Sequence, residues 1–320
     1  MTEHSASTGR IVLAFAAVYL IWGSTYLAIR FAVETLPPFL MGGVRYGLAG
    51  ALLYAWLRVR GASRPTARQW RAAAVAGGFL LLGGNGLVNW SEQFVSSGVT
   101  ALIVGTVPIW FVTLAWLGPD REAPNGPEIG GIVLGLAGVV LLVSGSLEDI
   151  AIHGATTTQV SLGILALVVA TVSWAIGSLY SRRVPMARPT LLATAMMMIS
   201  GGAALVLAGV ALGEPGGFDP RAVSARSLAA LAFLIVFGSI IAFSCYVWLF
   251  QVVRPALAGT YAYVNPIVAV LLGWALAGET ITRGMALGAV LIVAAVVIAE
   301  RGRSKATRTP APAGRARDAA

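Results

Sequence analysis

Apolar positions along this chain neither alternate nor repeat on one helical face. They continue for about twenty residues at a time, broken by short clusters of Gly, Pro and Arg. A run of that length, coiled at about 1.5 Å per residue, covers a hydrocarbon core of about 30 Å. Ten such runs occur, at 11–30, 38–57, 70–93, 97–117, 128–145, 161–180, 190–212, 227–250, 256–277 and 284–300. The third and fourth nearly touch, as do the eighth and ninth, but either pair joined is too long for one crossing. The first run is longer than a secretory apolar core and lacks a clear small-residue cleavage site, so it reads as a span. The pattern predicts an all-α integral membrane protein with ten transmembrane helices.

Composition agrees. Of 320 residues, 58% are hydrophobic and 11% charged, and mean hydropathy is +0.82, whereas soluble domains carry about a quarter charged residues. The net charge of +9 would raise nucleic acid as a partner of a soluble protein. Here the basic residues lie in loops and the tail, without zinc spacing or a basic recognition helix, so no nucleic acid is expected. They report orientation instead. With the N-terminus inside, cytoplasmic segments hold Arg10, the Arg58–Arg71 group, Arg121, Arg182, Arg183, Arg188, Arg254 and the basic tail. That is 17 of 22, against Arg30, Arg221, Arg226 and Arg283 outside and Arg45 within a span. The positive-inside rule therefore places both termini in the cytoplasm. Residues 1–10 read as a cytoplasmic N-terminal tail and 301–320 as a disordered basic tail. Arg outnumbers Lys 21 to 1, which fits a bacterial inner membrane. Cys245, the single cysteine, allows no internal disulfide, and His4 and His153 fall outside the spans. No metal site and no cofactor are expected.

The two halves match. A shift of 158 residues lays Trp90 on Trp248, Gln93 on Gln251, Pro108 on Pro266, Trp116 on Trp274, Gly126 on Gly284 and Gly130 on Gly288. Near the start of each half, Gly23-Ser24-Thr25-Tyr26 matches Gly177-Ser178-Leu179-Tyr180 at a slightly different shift. The repeats are 11–145 (spans 1–5) and 161–300 (spans 6–10). Five is odd, so the second half enters from the opposite side, giving two inverted five-helix repeats. That architecture is typical of secondary transporters, which rock two halves about a midplane site.

The stretches Ile21-Trp22-Gly23-Ser24-Thr25-Tyr26, Gly83-Gly84-Asn85-Gly86, Thr106-Val107-Pro108 and Ser173-Trp174-Ala175-Ile176-Gly177-Ser178 carry a resemblance. So do Pro255-Ala256-Leu257-Ala258, Tyr261-Ala262-Tyr263-Val264-Asn265-Pro266 and Gly278-Glu279-Thr280. Together they resemble the EamA family of the drug/metabolite transporter superfamily, near its bacterial drug/metabolite exporters, across residues 11–300. The resemblance implies two EamA repeats, a central cavity, and export of amino acids, metabolites or drugs.

Polar residues inside spans are either packing glue or pathway. Asn85, Asn89 and Glu92 fall at i, i+4 and i+7 on the third span, beside Gln93, and are expected on one face. Arg45 and Glu92 are the charges placed well inside spans; an ion pair, a substrate or proton site, and snorkelling are open readings. Trp22, Tyr26, Trp174, Tyr261 and Tyr263 are pathway or core candidates, with Ser24, Ser178 and Asn265 beside them. Pro108 and Pro266 predict matched kinks that gate or line the site. Gly126, Gly130, Gly284 and Gly288 predict close helix packing.

A membrane enzyme fits poorly: the sequence holds no HExxH, GxSxG or P-loop pattern, and no histidine lies in a span. A channel or facilitator is the other alternative, although no carbonyl-filter sequence appears. The expected partners are the lipid bilayer and a small-molecule substrate, with the chain a monomer or a homodimer. An aromatic, amide-rich cavity with few charges suits zwitterions, neutral metabolites or amphipathic drugs.

Overall fold

The computed structural model describes residues 7–118, 123–143, 151–152, 154–253 and 261–306. His4, Arg121, His153, Arg254, the Pro255-Ala256-Leu257-Ala258 stretch and the tail beyond 306 lie outside them. Among the described residues the regular structure is helical, apart from an isolated β-bridge between Val95 and Ala151.

Helix α1 spans Thr8–Ala32 and α2 spans Pro38–Val59, opening on the Pro37-Pro38 pair whose fixed φ suits a helix start. Helix α3 spans Ala67–Ser91. Its break with α2 is set by Gly61, at φ 88°, and by a capping box in which Thr66 and Gln69 satisfy each other's backbone N–H. Next come α4 (Ser97–Val104), α5 (Val107–Leu117) and α6 (Gly126–Val143). Helix α7 (Thr157–Arg183) opens on a second capping box, Thr156 with Gln159. Helix α8 spans Thr190–Ala211. Helix α9 runs from Ala225–Phe233 through Leu234–Ala242 into Phe243–Val252. Then follow α10 (Tyr261–Ala277) and α11 (Arg283–Ala306). The last helix continues past 300, the sequence-based boundary, because Arg301–Ala306 extends it by further turns.

Six helices are long and apolar enough to cross a membrane among the described residues: α1, α3, Ser97–Leu114, α7, α8 and Ala225–Leu249. Val264–Ala277 and Arg283–Ala295 are shorter apolar helices. Large apolar side chains face outward on several of these rods, with Leu13, Leu117 and Leu207 each 70% exposed. Such a surface is stable against lipid and not against water.

Three stretches widen into π-helix: Val18–Trp22 in α1, Gly78–Gly86 in α3 and Leu234–Ala242 in α9. The last two are of equal length and fall two residues from the register of the 158-residue repeat. A π-turn takes carbonyls off the regular i→i−4 ladder and leaves room for outside donors.

The matched prolines behave differently. Pro108 follows a break at Gly105-Thr106 that divides α4 from α5, as expected of a residue that removes a donor and clashes with the preceding turn. Pro266 sits inside α10, which remains one continuous helix. The break packs against it: a Cβ on Gly105 would meet Pro266 Cγ at 3.2 Å.

The glycine expectation needs correction. Gly126 and Gly130 face open space, so they are not the packing point of α6. Helices α6 and α11 meet further along, where Gly138 would carry a Cβ 2.9 Å from Ile292 and Gly135 lies against Ile109 and Ala295. Gly284 lies at the edge of that contact, where a Cβ would stand 3.5 Å from the Leu141 carbonyl, and Gly288 is buried. A close backbone approach joins α2 to α8: a Cβ on Gly202 would stand 2.6 Å from Gly47 N and 3.1 Å from the Gly43 carbonyl.

Candidate functional site

A cavity lies between α1, α2, α3, the α4–α5 break, α7, α9 and α10. The π-stretches deliver much of its wall: Trp22 from α1, Leu81, Gly84 and Asn85 from α3, and Gly238 from α9. Side chains complete the displaced carbonyls. Trp22 Nε1 donates to Gly238 O at 3.2 Å, Ser173 Oγ to Phe79 O at 2.7 Å, and Ser239 Oγ to Leu234 O at 3.0 Å. Asn85 Nδ2 makes a long 3.5 Å contact to Leu80 O.

One wall is aromatic. Trp22 has its ring centroid 4.8 Å from Tyr246, 5.3 Å from Tyr261, 6.1 Å from Phe243 and 6.5 Å from Trp174. The last and Tyr261 meet it edge-on, the geometry that ring quadrupoles favour. Tyr246 and Tyr261 also meet edge-on, with ring centroids 5.6 Å apart, which ties the cluster together. Asn265, with its amide nitrogen turned toward them, reaches the Tyr19 and Tyr261 carbonyls at 3.2 Å each.

Arg45, 3% exposed, also lines the cavity. Its Nε donates to Ser239 Oγ at 3.0 Å, and its guanidinium carbon lies 4.6 Å from the Tyr46 ring centre. Its second terminal nitrogen faces the Gly238 position, while Nη1 has no hydrogen-bond partner. Among the described residues, Arg45 is the one charged residue in the cavity lining.

The structure thus brings Trp22, Tyr26, Arg45, Asn85, Trp174, Tyr261 and Asn265 to one cavity. The other sequence candidates turn elsewhere. Ser24 and Ser178 donate to the Ile21 and Trp174 carbonyls of their own helices, and Gln93 to the Trp90 carbonyl. The side chain of Tyr263 lies outside the described residues. Of the expected Asn85–Asn89–Glu92 face, only Asn85 reaches the cavity lining. Asn85 faces the cavity, whereas Asn89 packs against α2 and donates to Pro38 O at 3.3 Å. Glu92 is fully buried away from the cavity lining, beyond the end of α3, and neither carboxylate oxygen has a hydrogen-bond partner. Arg45 and Glu92 form no ion pair; similar depth brought them near, but Arg45 turns to α9 instead.

Residues missed in the sequence include Thr25, Tyr46, Thr171 and Phe243 in the lining and Ser239 behind Arg45. Phe243 and Tyr46 stand near residues already singled out, a usable signal. Ser239 gave none, since its role depends on the π-stretch of a distant helix.

Known proteins agree with this arrangement. The profile of the EamA-like transporter family matches residues 9–144 and again 161–300. The inner membrane transporter YedA of Escherichia coli (strain K12) is 40% identical over 292 residues, covering 91% of this chain and 90% of YedA. The transporter YoaV of Bacillus subtilis (strain 168) is 25% identical, over 88% of this chain and 94% of its own. The S-adenosylmethionine/S-adenosylhomocysteine transporter of Chlamydia trachomatis serovar L2 is 27% identical, over 83% of this chain and 81% of its own. A solved crystal structure of a protein shares the fold at a TM-score of 0.62 and 22% identity, covering 95% of this chain and 100% of that one. With a family match on each half, and one cavity built from both, this chain belongs to the EamA-like transporter family of the drug/metabolite transporter superfamily and is a multi-pass inner-membrane transporter.

Proposed function

We propose that the chain is a secondary transporter that exports small metabolites, amino acids or amphipathic drugs by alternating access. Ten spans, arranged as inverted repeats over 11–145 and 161–300 with both termini cytoplasmic, would carry the motion. The observation that supports this reading is the cavity itself. Its wall joins Arg45 of the first family match to Ser239 of the second, and Trp22 to Gly238 in the same way. Movement between the halves therefore reshapes the site, which is what a carrier needs. The likeness to the S-adenosylmethionine/S-adenosylhomocysteine transporter favours substrates of amino-acid type.

Efflux is the direct test. Cells overexpressing the chain should release a small amphipathic metabolite that deletion cells retain, and purified protein in liposomes should move it with saturation and counterflow. Flux that rises linearly with concentration and shows no counterflow would identify a facilitator or channel instead. Accessibility labelling checks the topology: residues 60–70 and 182–188 should react from the same side.

A further inference from the structure

A buried guanidinium with an open donor needs an explanation. Arg45 is held in place on one side only. Its Nε is tied to Ser239 Oγ, which is itself fixed by donating to Leu234 O, and the Tyr46 ring lies against the guanidinium. Two anchors fix the group, a side chain that lines the cavity, and its Nη1 is buried with no hydrogen-bond partner among the described residues. Among the described residues, no acidic residue lies in that lining. Glu92, the other charge deep in a span, is not hydrogen-bonded to it and is absent from the cavity lining. A buried cation without a contacting counter-charge is costly, and the cost falls when an anion docks on its open donor.

We infer that Arg45 is the specificity-determining residue of this cavity and takes a single carboxylate of the transported molecule, whose apolar or aromatic body lies against Trp22, Trp174 and Tyr261. This rests on the transporter reading above and narrows it. One cation balances one negative charge, so a phosphate dianion or a diphosphate leaves charge uncompensated. A cationic amphiphile would meet Arg45 with like charge in a low-dielectric site. The aromatic wall is apolar, with its rings packed edge to face, which suits a ring or branched chain. Ser239 acts through Arg45 as a positioning residue.

The test uses the full-length protein in detergent micelles and three probes of one shape: 3-phenylpropanoate, its methyl ester and the 3-phenylpropylammonium cation. Quenching of tryptophan fluorescence reports occupancy, because Trp22 and Trp174 form the wall. The carboxylate should bind saturably, with the ester and the cation weaker by about tenfold or more, the usual scale for a charge-assisted bond. Arg45→Gln should erase that preference, Arg45→Lys should keep part of it, and Ser239→Ala should weaken carboxylate binding while leaving ester binding unchanged. Equal affinity for acid and ester in the wild type overturns the assignment, and that comparison needs no variant to fold. Undiminished preference in a folded Arg45→Gln protein also overturns it. Carboxylate selectivity without counterflow in liposomes would remove the carrier reading and leave the assignment intact. Counterflow of the ester or the cation, with no preference for the acid, would do the reverse.

Discussion

The indole of Trp22 shows how one residue serves both structure and site. Its ring is a wall of the cavity, and its N–H closes the Gly238 carbonyl of a π-stretch on another helix. Trp22→Phe keeps a ring and removes the donor, so that carbonyl loses its side-chain partner. We expect a loss of about 1 kcal/mol, read as a lower midpoint in thermal unfolding monitored in detergent. Glu92 gives the contrasting expectation. It is buried away from the cavity, so Glu92→Gln should leave probe binding within about twofold of wild type, measured by the same fluorescence titration. Both residues were visible in the sequence, Trp22 as an aromatic deep in a span and Glu92 as a charge in an apolar one. Their partners were not. Depth along a helix can be counted from the span ends, but the direction a side chain takes around the helix depends on local turn geometry. The π-stretches at Val18–Trp22 and Gly78–Gly86 change that geometry without any mark in the hydropathy.

Helix positions were legible because each span must be apolar over a length fixed by the bilayer. The capping boxes at Thr66 and Thr156 also mark starts that a reader of sequence can find. Helix contacts were far harder to read. With 38 glycines in the chain, a four-residue glycine spacing is too common to single out an interface, and Gly126 and Gly130 carry that spacing onto an open face. The backbone contact that matters lies between Gly43, Gly47 and Gly202. Any side chain on Gly202 would run into the α2 backbone, which cannot swing aside as a flexible side chain does. Gly202→Leu should therefore cost about 1–3 kcal/mol or prevent folding, whereas Gly130→Leu should stay within about 0.5 kcal/mol of wild type. Thermal midpoints and the yield of monodisperse protein after size-exclusion chromatography separate the two outcomes.

At the scale of the whole molecule, the two family-matched halves grip each other at one end of the bundle. The Glu279 carboxylate, between α10 and α11, accepts from Ser97 N and Ser97 Oγ at 2.8 Å each and from Gly98 N at 3.1 Å, all at the start of α4. Glu214, between α8 and α9, accepts from Phe39 N at 3.0 Å and Leu40 N at 2.8 Å at the start of α2. In each case a carboxylate of the second half satisfies orphan N–H groups and the positive end of a helix in the first half. Rocking the halves apart at this end must break both contacts. If alternating access is the mechanism, fixing one of them should stop transport without emptying the site. In a Cys245→Ser background, a Ser97→Cys/Glu279→Cys pair joined by a short bis-thiol crosslinker should abolish counterflow in liposomes while probe binding persists. Reversing the link should restore flux. Transport that continues through a fully crosslinked protein would mean that this end of the bundle does not open, and that substrate leaves the cavity by another route.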